Sequence, residues 1–198
     1  MSPATLARLP EVAAEAIRAR FEQRPLRLPP DLPAEVRQPG AAFVTLTDGD
    51  RLLGCIGSLE PVRPLVDDVA HNAVQAAFAD PRMPPLTPDE FARMTIEVSV
   101  LSPLEPLPVG SFAELARVVR PGVDGLVVAA AGRRGTFLPS VWEQLPTVEE
   151  FLRGLWLKAG LRPGWWPPDT RVWRYTTSVV ADPGPRSRPR RAGSSGTR

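Results

Sequence analysis

Apolar residues recur along the chain in two periods, and the period tells helix from strand. Val12, Ala13, Ala16, Ile17 and Phe21 form one stripe with arginines on the opposite side, and Pro10 suits the first turn of the helix this predicts. Leu65, Val66, Val69, Ala70, Ala73, Val74, Ala77 and Phe78 predict a second helix that Asp80-Pro81 closes, with Asp67, Asp68, His71 and Gln75 largely outside its apolar stripe. Thr147-Val-Glu-Glu150 reads as a capping box for a third helix carrying Phe151, Leu152, Leu155 and Ala159, with Gly160 as its C′ residue and Pro163 beyond. A short helix is expected near Phe112–Val118.

Between these segments the pattern changes to that of strands. Residues 41–47 and 50–57 flank Asp48-Gly49 and predict a β-hairpin, because glycine supplies the positive φ that tight hairpin turns need. Met94, Ile96, Val98 and Val100 alternate with Thr95, Glu97 and Ser99, which turns Glu97 away from the aliphatic core. Residues 125–138 predict a second hairpin around Gly132, and Arg171–Thr177 a final strand. Prolines at 25, 29, 30, 33 and 39 make residues 25–40 a connector rather than a regular element. With separated helices, hairpins and no repeated βαβ unit, the expected class is α+β, a mostly antiparallel sheet with packed helices.

Composition narrows the setting. At 198 residues the chain can bury one sizeable core, or two small lobes sharing one. Residues 182–198 carry five arginines and one aspartate, a net +4, so the total of +2 leaves −2 for residues 1–181. The folded part is expected to span residues 1–181, and the Arg-rich stretch 182–198, poor in aliphatics and aromatics, to be a disordered tail. A nearly neutral body without a basic face or a stacking platform argues against nucleic-acid binding. The single cysteine excludes an internal disulfide and a Cys-rich zinc module. No apolar run approaches the roughly 18 residues of a membrane span, and no basic region followed by an apolar one opens the chain, so cytoplasmic residence without a membrane partner is expected.

The most pointed chemical feature is Gly54-Cys55-Ile56-Gly57, two glycines beside the lone thiol, which permit close approach of a ligand or unusual dihedrals. A cysteine is reactive beside cationic groups and inert when buried among apolar ones, so Cys55 reads either as a nucleophile or as a small core residue. The single histidine, His71, completes a Cys-His pair only if its helix crosses beside the hairpin; otherwise it is an exposed helix residue. Cys55, His71, Asp80 and Glu97 show no recognised ligand spacing, so no metal is expected, and the sequence names no cofactor. Asp80-Pro-Arg82 offers an acid and a base at a chain reversal, to serve a cleft or a structural ion pair. Gly132-Arg-Arg-Gly135 reads as a hairpin turn before an anion site. Trp142, Trp156, Trp165, Trp166 and Trp173 supply either core packing or a partner surface.

Leu52-Leu-Gly-Cys-Ile-Gly57 resembles the Leu-Arg-Gly-Cys-Ile-Gly signature of AMMECR-type domains. Ala76–Leu86, Ile96–Leu101, Gly122–Leu126, Thr136–Gln144 and Phe151–Leu161 follow in the family's order, so the resemblance covers roughly residues 5–180. It implies two unequal lobes with the signature facing a shared cleft. It also implies association with a Memo-type protein and a radical S-adenosylmethionine enzyme. By position it points to Cys55 and Glu97 as catalytic candidates, and to Gly54, Gly57, Asn72, Asp80 and Arg82 as ligand-binding ones. Leu53 stands where the family usually has arginine, and strand alternation sets residue 53 on the face of Cys55. Either Arg82 supplies that charge from another segment, or the motif serves shape and backbone contacts. The expected function is a small-molecule enzyme or pathway component using Cys55. The alternatives are a non-catalytic adaptor for the two partners, docking through Trp165 and Trp166, and a nucleic-acid-associated regulator using the arginine tail.

Overall fold

The computed structural model describes residues 1–184. Among the described residues the chain forms two compact units, Met1–Leu101 with residues 178–184, and Ser102–Thr177. The first contains α1 (Pro3–Leu6), α2 (Leu9–Phe21), β1 (Pro39–Gly40), β2 (Ala42–Asp48), β3 (Arg51–Gly57), β4 (Arg63–Pro64), α3 (Leu65–Phe78), α4 (Pro88–Arg93) and β5 (Thr95–Leu101). The second contains β6 (Glu105–Leu107), α5 (Phe112–Val118), β7 (Gly125–Ala130), β8 (Arg133–Phe137), α6 (Val148–Lys158) and β9 (Arg171–Tyr175). The chain then returns to the first unit as β10 (Thr177–Asp182). The class is α+β, with four-stranded sheets ordered β10-β5-β2-β3 and β6-β9-β7-β8. Every strand pair with a defined register is antiparallel.

The first core follows the predicted periods. Val12, Ala13, Ala16 and Ile17 of α2 and Val66, Val69, Ala70, Ala73 and Ala77 of α3 are buried with Val44, Leu46, Ile96 and Val98 of β2 and β5. Phe21 sets its ring edge-on to Phe78 and Phe91, at 5.0 and 6.0 Å. The β2–β3 turn has Gly49 at φ 60°, as the hairpin required.

Two features depart from simple alternation. Pairing passes from Leu46↔Gly54 to Thr47↔Leu52, so Leu53 is the extra residue of a β-bulge. Its side chain, 5% exposed, joins the buried cluster instead of continuing the alternation that would set it beside Cys55. Asp68, expected outside the apolar stripe, is fully buried. It is compensated there: its carboxylate accepts from the Ala42 N–H at 3.0 Å, the Ser58 hydroxyl at 2.7 Å and the Asn72 amide at 3.0 Å, with Arg63 at 3.5 Å.

The second core is aromatic. Trp142 stacks on Phe151 at 3.8 Å, and Trp156, fully buried, lies 4.5 Å from Phe112 and 5.5 Å from Trp166. Helix α6 is capped by Thr147, whose Oγ1 accepts from the Glu150 N–H. The reciprocal capping box stands instead at Thr87 and Glu90, heading α4. Helix α6 ends as predicted, with Gly160 at φ 73° and the Leu161 N–H returning to the Trp156 carbonyl. At the β7–β8 turn Ala131 and Gly132 both have positive φ, the backbone of a two-residue hairpin loop. The final strand stops at Tyr175, and β10 is an addition to the prediction. Of the Arg-rich stretch expected from residue 182, Asp182 ends β10, and residues 185–198 lie outside the described residues.

Candidate functional site

The face of the first sheet opposite α2 and α3 carries the signature thiol. Register places Thr45 between Cys55 on β3 and Glu97 on β5, so the three form one row across three strands. The Thr45 hydroxyl donates to Cys55 Sγ at 3.3 Å. Adjacent strands lie about 4.8 Å apart, so the backbones of Cys55 and Glu97 are roughly 10 Å apart. Among the described residues Glu97 makes no hydrogen bond to Cys55 Sγ. Its carboxylate accepts a long bond, 3.4 Å, from Ser99 Oγ. All three residues of the row are half-buried.

Because β3 is an edge strand, the N–H and C=O of Cys55 that point away from β2 have no strand partner. Asp80 and Arg82 take that role. Asp80 Oδ2 accepts from the Cys55 N–H at 3.0 Å, and Arg82 Nη2 donates to the Cys55 carbonyl at 2.9 Å. The two side chains pair with each other at 2.7 and 2.9 Å, and the Arg82 N–H closes onto Asp80 at 3.0 Å. The Arg82 guanidinium, with help from the Cys55 and Arg82 backbone N–H groups, holds the buried Asp80 carboxyl well below the usual carboxylate range, against desolvation. The Arg82 guanidinium is raised in turn, by Asp80 first and then, after opposing desolvation, by Cys55. Asp80 is thus an ionised fastener with its lone pairs engaged. Arg82 is the cation beside the thiol, its side chain 56% exposed.

The other sequence candidates separate by environment. A β-carbon at Gly54 would overlap the Ala76 carbonyl oxygen, so glycine here allows β3 to approach α3. One at Gly57 would overlap the Phe43 ring, so what approaches these two glycines is the chain itself. Asn72 is 2% exposed, and its amide donates to the Ala42 carbonyl, Ser58 Oγ and Asp68. It ties α3 to the start of β2 and the residue after β3. His71 is exposed on α3, which packs on the other face of the sheet from the Cys55 row. Among the described residues no three His, Cys, Asp or Glu side chains gather as a metal ion requires, and no helix is long and apolar enough to cross a membrane. Trp142 and Trp156 are core residues, Trp166 and Trp173 are half-buried, and Trp165 is exposed.

Thr45 is the residue that sequence reasoning missed. The hairpin was legible, but counting outward from its turn pairs Thr45 with Gly54, and only the bulge at Leu53 moves the register by one residue to set Thr45 opposite Cys55.

Residues 10–180 match the profile of the AMMECR1 family. A protein of Methanothermobacter thermautotrophicus is 45% identical over 165 residues, covering 80% of this chain and 84% of its own length. A Thermotoga maritima protein is 44% identical over 138 residues, 68% of this chain and 74% of its own. The crystal structure of an uncharacterised protein from Pyrococcus horikoshii, 32% identical, aligns with a TM-score of 0.87 over 93% of this chain and 95% of that one.

Proposed function

Since the chain belongs to the AMMECR1 family, we propose that it acts on a small anionic molecule bound over the Cys55–Thr45–Glu97 row, as an enzyme or pathway component. The observation that carries this reading is the half-buried thiol, which takes the Thr45 hydroxyl at 3.3 Å while Arg82 is hydrogen-bonded to the same residue's carbonyl. An oxygen anion of the substrate pairs with the exposed part of the Arg82 guanidinium, which brings an electrophilic carbon toward Sγ. Glu97 takes a proton from the bound molecule. Asp80 holds Arg82 and the Cys55 backbone in place and transfers no proton. In this reading the chain works in the cytoplasm, in a pathway shared with a Memo-type protein and a radical S-adenosylmethionine enzyme, and residues 1–181 suffice for it.

Two alkylating agents of similar size test the site without a known substrate. Iodoacetate carries the anion that Arg82 would hold, and iodoacetamide does not. The ratio of their rates at Cys55, followed by intact mass, should be higher in the folded protein than in the urea-unfolded chain. The expected gain is about three- to tenfold, the range of one partly exposed charge-assisted contact. Arg82→Gln should remove the gain and Arg82→Lys keep part of it, while Cys55→Ser removes labelling altogether. Equal ratios in the folded and unfolded protein would sink the reading.

A further inference from the structure

Six of the seven phenylalanines join a hydrophobic core and pair with another ring. Phe43 is the exception. Among the described residues it belongs to neither core, and no ring or cation stacks on it. It stands on β2 two residues before Thr45, so alternation sets its side chain on the face of the Cys55–Thr45–Glu97 row. Register pairs it with Gly57 on β3 and Ser99 on β5. A β-carbon at Gly57 would overlap ring carbons Cγ, Cδ1 and Cδ2, so the ring leans off its own strand and over the strand that carries Cys55. Phe43 and Gly57 are both half-buried.

This places an aromatic ring one row from the thiol. Phe43 and Cys55 are diagonal neighbours on an antiparallel pair, a separation of about 7–8 Å that aromatic side chains span. The cross-strand partners of Phe43 are glycine and serine, too small to cover the ring from within the sheet. On the other side of Cys55, at the sheet edge, stands Arg82, bonded to the Cys55 carbonyl with its side chain 56% exposed. Ring, thiol and cation therefore follow one another across β3. A molecule with a π face at one end and an anionic oxygen at the other meets both outer groups. An aliphatic acid reaches the cation but offers the ring no aromatic partner, and a neutral arene reaches the ring but leaves the cation unmet.

We infer that the molecule bound over the row is an aromatic carboxylate, its ring packed on Phe43 and its oxygen anion at Arg82. This rests on the reading of the row and Arg82 proposed above, and adds the substrate class. Protection of Cys55 tests it. The intact folded protein is alkylated with neutral iodoacetamide, followed by intact mass, in the presence of phenylacetate or of cyclohexylacetate. The two acids share one charge and nearly one size, and the saturated ring is the more hydrophobic, so a merely apolar surface would favour cyclohexylacetate. Phenylacetate should reach half-protection at about two- to tenfold lower concentration, the range of one aromatic pair. Phe43→Leu should abolish that preference and Phe43→Tyr keep it, while Arg82→Gln should weaken both acids alike. The comparison in the unaltered protein stands whether or not Phe43→Leu folds. The inference is overturned if cyclohexylacetate protects as well as phenylacetate, if neither acid protects, or if Phe43→Leu retains the preference with its circular dichroism unchanged. The iodoacetate-to-iodoacetamide ratio then separates the two readings: a folded-state gain that persists means that only the aromatic class has failed, and its absence removes the anion site as well.

Discussion

The two units solve the problem of holding a four-stranded sheet in different ways. In the first, buried carboxylates grip backbone: Asp68 takes the Ala42 N–H and Asp80 the Cys55 N–H, both on strands of one sheet. In the second, rings do most of the filling, with Trp142 on Phe151 and Trp156 between Phe112 and Trp166. Asp124 is the second unit's buried acid; it pairs with Arg120 and accepts the Arg120 N–H within a turn. The difference teaches where chemistry can be carried. Rings exclude water and seal a core, whereas a carboxylate bound to the backbone of an edge strand from another segment presents a paired cation beside that strand's side chains. The candidate thiol stands at such an edge.

The comparison breaks most severely if Trp156 is truncated. Trp156→Ala should lower stability by about 4 kcal/mol, the usual loss for a fully buried ring, with a matching drop in the denaturation midpoint followed by tryptophan fluorescence. Gly54→Ala should cost about 3 kcal/mol, because the new methyl meets backbone that cannot rotate away; denaturant unfolding measures it, and amide exchange at β3 should accelerate. Asp80→Asn should cost about 2 kcal/mol, less than a fully buried pair because Arg82 stays largely exposed.

Acid and alkali separate the units further. The Asp80 pKa is depressed in the folded state, so its contribution is complete at neutral pH. That contribution is lost as pH falls below the unfolded value of about 4 toward the lower folded one. Asp80→Asn should flatten that part of the acid limb in a plot of stability against pH, and an unchanged limb would remove Asp80 from it. Tyr175 behaves oppositely. Burial pushes its phenol up to about 12, so the folded state holds its proton more tightly, and stability falls as pH rises from about 10 to 12. Tyr175→Phe should remove that alkaline step. At neutral pH it should cost about 1 kcal/mol, for the hydroxyl's bonds with Thr136 and the Phe137 carbonyl.

Much of this architecture was legible beforehand, and the exceptions share a cause. The stripes on α2, α3 and α6 gave the right buried faces, and the hairpins at Gly49 and Gly132 fell where glycine was needed. Asp68 was misplaced because a helical period sorts residues by type, and an aspartate is assigned to solvent unless a partner is known. Its partners Ala42 and Ser58 lie 26 and 10 residues away in the chain. Of the site, Cys55 and Glu97 were chosen by pattern and the resemblance, and register brings them into one row. Gly54, Gly57 and Asn72 matched the same motifs, but a packed helix, a covering ring and a buried amide network account for them.

By itself the sequence determined helices α2, α3, α5 and α6, the hairpins, the sheet class and the family, because periodicity, turn residues and motif order are local properties of the chain, whereas it left the short α1 and α4 unpredicted. Tertiary structure decided the bulge that buries Leu53, the strand β10, the row that sets Thr45 beside Cys55, and the ionised clamp of Asp80 and Arg82. Register and the burial of charge depend on groups brought together from distant segments, and a carboxylate's free energy in the interior is set by the donors that meet it there.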